Sequence, residues 1–323
     1  MEFVAAGYEI IEQKPGLDGL YEAIELPGRI CYWSQDKITP GSAKPFVERL
    51  MQSNHGAPLE HGTVYLRTDD PYIGKKYKRN PYSKVVEDNI THCDHSYDTI
   101  YYITTNFRVL FENNSLDDLK YWCEPTQYHE KRYQVRFTID RFTGEEFLRH
   151  RKGSFNREST RYVCYTKEKF GGGSITYIIP VWMLDKDDDY KQRFKRARLI
   201  HQSLFEEKCG QIFNAYANEE ELDYWEDFDY WLFALKSTEW AYCNLVTKCG
   251  WQAQQARTVL PCAIKSPLIM TMFASDWVHF FNLRALGTTG SPHPQAKELA
   301  NPLMNEFIKR GYIQKDTLNF NKE

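Results

Sequence analysis

The stretch from Tyr133 to Arg151 constrains the fold most tightly. In YQVRFTIDRF, Val135, Phe137 and Ile139 alternate with polar neighbours, which is the period-two pattern of a half-buried strand. Immediately afterwards TGEEFLRHR sets Thr143 three residues ahead of Glu146. That is the spacing of a capping box, and it predicts a helix beginning at Thr143 and carrying Arg149 in its second turn. A strand feeding a helix calls for a sheet with helices packed on it.

Other segments agree with that architecture. Ala43, Phe46, Leu50 and Met51 recur at helical spacing in SAKPFVERLMQSN, and Thr63–Leu66 has strand character. IYYITTNFRVLF, residues 100–111, reads as a strand and LDDLKYWCEP as a short helix. Apolar residues from Tyr190 to Ile212 predict a long amphipathic helix over Lys186–Asn214, and further helices are expected over TEWAYCNLVTKCG, WQAQQARTV and SDWVHFFNLRAL. Between them Arg67–Asn89 is polar, carries two prolines and reads as a loop. The expectation is one α/β (α+β) domain over residues 1–323, with a mixed or antiparallel sheet packed by helices and a large insertion around 67–132.

Composition narrows the function classes. With 41 Lys plus Arg against 44 Asp plus Glu, the formal net charge is -3, so anion binding has to come from local clustering, and a nucleic-acid partner is not expected. No run of eighteen apolar residues is present and MEFVAAGYEIIEQK lacks the character of a signal peptide, which points to the cytoplasm and away from a membrane. Eight cysteines without a CxxC pair read as reduced, mostly buried thiols. In THCDHS, His92, Cys93, Asp94 and His95 are too crowded for a closed tetrahedral site, and no metal is assigned.

The chemistry concentrates in RHRKGSFNRESTRY. Arg149, His150 and Arg151 are followed, after seven residues, by Ser159 and then Arg161. Guanidinium forks beside a small hydroxyl suit a phosphate and the polar edge of a base. The same residues also fit a solvated helix face, because Glu145 with Arg149 and Glu146 with His150 are i,i+4 pairs. Spacing alone does not choose between these readings.

The combination of Arg-His-Arg, seven residues and Ser, continuing as STRY, resembles the signature of the flavin-dependent thymidylate synthases. GRICYWSQDKIT, PLEHGTVYL, QQARTVLP and HFFNLRALG are similar to further family segments and occur in the family's order, with Arg257 and Arg284 separated by 27 residues. The resemblance implies methylation of dUMP to dTMP, with methylenetetrahydrofolate as carbon donor, NADPH and FAD for reduction, release of tetrahydrofolate, and a homotetramer with sites between subunits. Carried over by position, it implies that His61, Thr63, Arg149, His150, Arg151 and His279 face FAD. It also implies that Glu146, Arg149, Ser159, Arg161, Arg257 and Arg284 bind dUMP, with Arg284 the catalytic cation.

The chain departs from the family pattern at two places. Arg157 stands where many members carry Glu or Gln, and Phe273–Ser275 replaces an Asn-x-Arg flavin contact. Arg149 follows His61 by 88 positions, far more than a compact member needs, and GTTGSPHP adds a smaller insertion after Arg284.

Three alternatives remain at this level. A mechanism through Cys262, as in the ordinary synthase, lacks the expected histidine after the cysteine, and the thiol is expected to be buried and structural. An enzyme acting on a different pyrimidine nucleotide is separated by substrate competition, whereas a nucleotide- or RNA-binding protein without catalysis predicts no flavin.

Overall fold

In a computed structural model of the chain, residues 1–91, 97–184 and 226–320 are described. Among them nine strands occur: β1 (Glu2–Val4), β2 (Gly7–Ile11), β3 (Thr63–Thr68), β4 (Lys84–Thr91), β5 (Tyr97–Asn106), β6 (Arg132–Thr138), β7 (Ser154–Arg157), β8 (Thr176–Ile178) and β9 (Leu268–Phe273). The chain divides into two compact units: one of Met1–Ala6, Ile139–Thr143 and Ser159–Ser266, the other of Gly7–Thr138, Gly144–Glu158 and Pro267–Glu323. The predicted helix over Lys186–Asn214 and the THCDHS segment fall outside the described residues.

The larger unit holds two antiparallel sheets, ordered β2-β6-β9-β7 and β3-β5-β4. Strand β9 reads LIMTMF and is buried at every position, as expected of a strand paired on both edges and covered on both faces. Its neighbour β6 places Val135 opposite Met270 on one side and Ile10 on the other. Phe137 and Phe147 meet edge to face at 5.1 Å, and Trp277 and Phe280 pack around them. All four side chains are fully buried, so β6 and the helix Ala274–Arg284 share one apolar layer. That helix begins at the residue directly following β9.

The helix Gly16–Cys31 packs Leu20 and Ile24 into the core of the three-stranded sheet. Pro27 lies inside this helix, where proline removes the hydrogen bond to the carbonyl four residues earlier. The carbonyl of Ala23 instead accepts from the Gln134 side chain of β6 at 3.2 Å. Gly62, ahead of β3, packs directly against this helix. A Cβ there would stand 2.7 Å from both Ile24 and Leu20.

Two local readings are corrected here. Arg67–Asn89 contains the helix Pro71–Lys78 and most of strand β4 rather than a loop. Asp70 starts the helix by accepting the Tyr72 N–H at 2.8 Å, with Pro71 in the first helical position. The strand expected over residues 100–111 stops at Asn106, whose side chain accepts the Val109 N–H at 3.1 Å and caps the helix Phe107–Glu112.

The smaller unit pairs β1 and β8 in parallel. Ile175 donates to Glu239 at 2.8 Å and the Tyr177 hydroxyl to the Leu235 carbonyl at 3.3 Å, tying β8 to the helix Asp227–Thr247. Of the six cysteines described, all free, only Cys164 is buried; Cys249 and Cys262 are exposed. The expectation of mostly buried thiols, including a buried Cys262, is therefore corrected.

The capping-box reading also changes. The helix runs over Arg141–Phe147, and Asp140 starts it by accepting the Thr143 N–H at 2.8 Å and the Thr143 hydroxyl at 2.6 Å. Thr143 therefore lies inside the first turn, and the helix ends before Arg149. Replacing Asp140 with alanine should lower the unfolding free energy by about 1–2 kcal/mol, read as a reduced urea midpoint. An unchanged midpoint would show that Asp140 does not hold this helix start.

Candidate functional site

Arg284 is the last residue of the helix Ala274–Arg284 and points its guanidinium at the C-terminal end of the helix Arg141–Phe147. Its Nη1 donates to the Glu146 carboxylate at 2.6 Å, its Nη2 to the Glu146 backbone carbonyl at 2.8 Å, and its Nε to His150 Nε2 at 3.2 Å. A guanidinium has five N–H donors. Among the described residues three are used, which leaves one on each Nη nitrogen. The side chain is 17% exposed, so this remaining pair is partly shielded from water.

His150 is buried, with the ring of Phe280 at 5.0 Å and that of His279 at 5.8 Å. Burial pushes its imidazole down to about 4, and the Arg284 charge and then His279 act in the same direction. Neutral at ordinary pH, it offers Nε2 as an acceptor to Arg284 and carries its proton on Nδ1. Burial also lowers the Arg284 pKa, Glu146 opposes that shift, and the Arg149 charge reinforces it. Arg149 and Arg151 are both exposed, and among the described residues neither pairs with a carboxylate. The result is a surplus of positive charge beside a partly buried donor pair, an arrangement that an anionic, planar ligand would stabilise.

His61 ends the 3-10 turn Ala57–His61, Thr63 is the first residue of β3, and the two are 1% and 3% exposed. His61 Nδ1 lies 2.8 Å from the Thr271 hydroxyl, and burial, followed by the Arg132 charge, pushes the imidazole down to about 3. Thr63 is clamped through its backbone, because the Gln13 amide accepts its N–H and donates to its carbonyl, each at 2.8 Å. Arg132 braces the same segment. It donates to the Glu60 carbonyl at 3.0 Å, to the Thr63 hydroxyl at 3.4 Å and to Ser154 at 3.0 Å. Neither Arg132 nor Gln13 was picked out from the sequence, since their partners lie 22 to 72 positions away.

Arg157 forms an ion pair with Glu145 at 2.7 Å. The extra cation at this position is thereby matched by a carboxylate of the preceding helix. At Phe273–Ser275, Lys84 of β4 donates to Ser275 and to Glu130 at 2.8 Å, and its ammonium lies 4.6 Å from the Phe273 ring centroid.

Ser159, Arg161 and Arg257 belong to the smaller unit. The Ser159 hydroxyl accepts the Arg161 N–H at 3.4 Å, and Arg161 is exposed with its guanidinium over the Tyr162 ring. Arg257 is exposed where the helix Ala253–Ala256 ends. The larger unit thus brings together Glu146, Arg149, His150, His279 and Arg284, with His61 and Thr63 in a second cluster.

Residues 129–310, more than half of the chain, match the family described as thymidylate synthase complementing protein. The chain belongs to that family. Curated proteins similar to it include the flavin-dependent thymidylate synthase of Pyrococcus furiosus, 22% identical over 169 residues. That match covers 52% of this chain and 51% of the relative, so the chain spans about half the length of the curated relative it matches. Similar solved structures include the UMP/dUMP methylase PolB from Streptomyces cacaoi bound with 5-Br dUMP, at 17% identity over 96% of this chain and 93% of that one, with a TM-score of 0.38. Another is thymidylate synthase X from Helicobacter pylori with FAD and dUMP, at 13% identity over 97% and 99% of the two chains, with a TM-score of 0.36.

Proposed function

We propose that this chain methylates dUMP to dTMP, taking the carbon from methylenetetrahydrofolate and the reducing equivalents from FAD reduced by NADPH, with release of tetrahydrofolate. The observation that carries this reading is the Arg284 guanidinium, held by Glu146 and His150 with, among the described residues, one N–H left on each Nη. Guanidinium donors suit the carbonyl oxygens of a uracil ring. Positive charge there stabilises the negative charge that develops on the ring as C5 becomes nucleophilic.

The residues present fit a flavin. Arg149 and Arg151 are exposed cations without carboxylate partners among the described residues, which suits a pyrophosphate, and exposed His279 stands beside the His150 ring. When bound, FAD supplies the reducing equivalents that turn a transferred methylene into a methyl. The protein's part is to hold Arg284 in place and to keep His150 uncharged beside it. Ser159, Arg161 and Arg257 take the dUMP phosphate in this reading, with His61 and Thr63 on the flavin side. Family resemblance supports a homotetramer with sites between subunits, residues 67–132 as an added segment of a single family domain, and work in the cytoplasm. Among the described residues no helix is long and apolar enough to cross a membrane.

The test is dTMP formation from dUMP with FAD, NADPH and methylenetetrahydrofolate, omitting each component in turn. Product that requires FAD and appears together with tetrahydrofolate is expected. No product, from a chain whose bound flavin NADPH still reduces, would overturn dUMP as the substrate.

A further inference from the structure

We propose that His150 is the positioning residue for Arg284: its imidazole accepts the Nε–H of that arginine and sets the direction in which the remaining guanidinium donors point. The inference rests on reading Arg284 as the group that acts on the pyrimidine.

The three bonds on Arg284 are not equivalent. Both Glu146 bonds fall on the Nη nitrogens, at 2.6 and 2.8 Å, which are the nitrogens an incoming ligand also uses. The bond to His150 falls on Nε at 3.2 Å, away from that contest. A ligand that draws the Nη donors toward itself can therefore loosen Glu146 and leave the Nε bond intact. Arginine reaches its guanidinium through a long flexible stem, so one bond persisting through ligand exchange keeps the fork in register.

The imidazole is suited to this task. It is buried and seated against the Phe280 ring at 5.0 Å. The charged and titratable groups around it are Arg284 and His279 from the helix Ala274–Arg284, and Glu146 and Arg149 from its own segment. A protonated ring would lose its acceptor and set a second cation against Arg284. Burial delays that protonation to about pH 4, so the bond survives through neutral and mildly acidic solution.

The experiment compares His150→Leu, which removes the acceptor, with His150→Gln, whose amide carbonyl restores one. Two quantities are read. The first is kcat and KM for dUMP. The second is the hydrogen exchange of the Arg284 Nε–H, followed by NMR in nitrogen-15-labelled chain and identified by its absence from Arg284→Lys. Expected in the leucine variant is a fall in kcat of about 10- to 100-fold with KM much less affected, together with loss of Nε–H protection. Glutamine should recover most of both. An unprotected Nε–H in the unmodified chain overturns the proposal and needs no variant that folds. Leucine with undiminished kcat, or glutamine no better than leucine, overturns it as well. If the unmodified chain makes no dTMP, the substrate reading fails, while the exchange measurement still decides the orientation.

Discussion

An Arg284→Ala chain is expected to form dTMP about 10²- to 10³-fold more slowly than the unmodified chain, the range seen when a donor to developing negative charge is removed. Flavin binding should survive, because the larger unit keeps Arg149, His150, Arg151 and His279 when Arg284 is lost. The fold should survive too. Arg284 ends its helix and lies outside the fully buried layer formed by Trp277, Phe280 and Phe281. Arg284→Lys separates two contributions, since lysine keeps the charge but loses the planar fork. If geometry matters as argued, lysine should resemble alanine more than arginine. Steady-state turnover, circular dichroism and the flavin absorbance of the purified variants give the answer, and full turnover in the alanine variant would remove Arg284 from its role.

The second large effect is on stability in acid. His61 is held down to about 3 and His150 to about 4, in both cases mainly by burial. An unfolded histidine titrates near 6.5. Between roughly that pH and 4, the unfolded chain takes up protons that the folded chain refuses, so acid favours unfolding. Above pH 7 neither state binds them and the contribution vanishes. Two such groups should lower the unfolding free energy by on the order of 3 kcal/mol between pH 6.5 and 5. Urea midpoints across that interval measure the slope, and His61→Gln should remove close to half of it. Constant stability from pH 7 to 5 would mean that these imidazoles protonate within the folded chain.

The parts of the fold that the sequence disclosed are those whose signal is local. Val135 and Phe137 alternate and belong to β6, while Trp277, Phe280 and Phe281 recur at helical spacing within Ala274–Arg284. The hidden parts depend on partners far along the chain. Strand β4 is polar in sequence and exists as a strand through its pairing with β5. The helix before it did have a local signal, Asp70 followed by Pro71, but the surrounding polarity concealed it. The family segments brought out the site residues. Their arrangement was invisible, because Glu146 and Arg284 are separated by 138 positions and meet only when the sheet and the helix Ala274–Arg284 assemble. Likewise Arg157 looked unbalanced until the turn after Phe147 brought it back to Glu145.

The junction between β9 and the helix Ala274–Arg284 contains no connecting residue. The strand is locked into register by β6 and β7, so the helix leaves it with a set starting phase. From Phe273 the helix then acts as a ruler: each residue advances about 1.5 Å and turns about 100°. Adding or deleting one residue before Arg284 would swing its side chain onto another face, away from both Glu146 and His150. Side chains along this segment can be exchanged one for another within the limits of packing, but its length cannot change. The segment beginning at Gly287 comes after Arg284 and lies outside that constraint, so insertions there leave the guanidinium where it is.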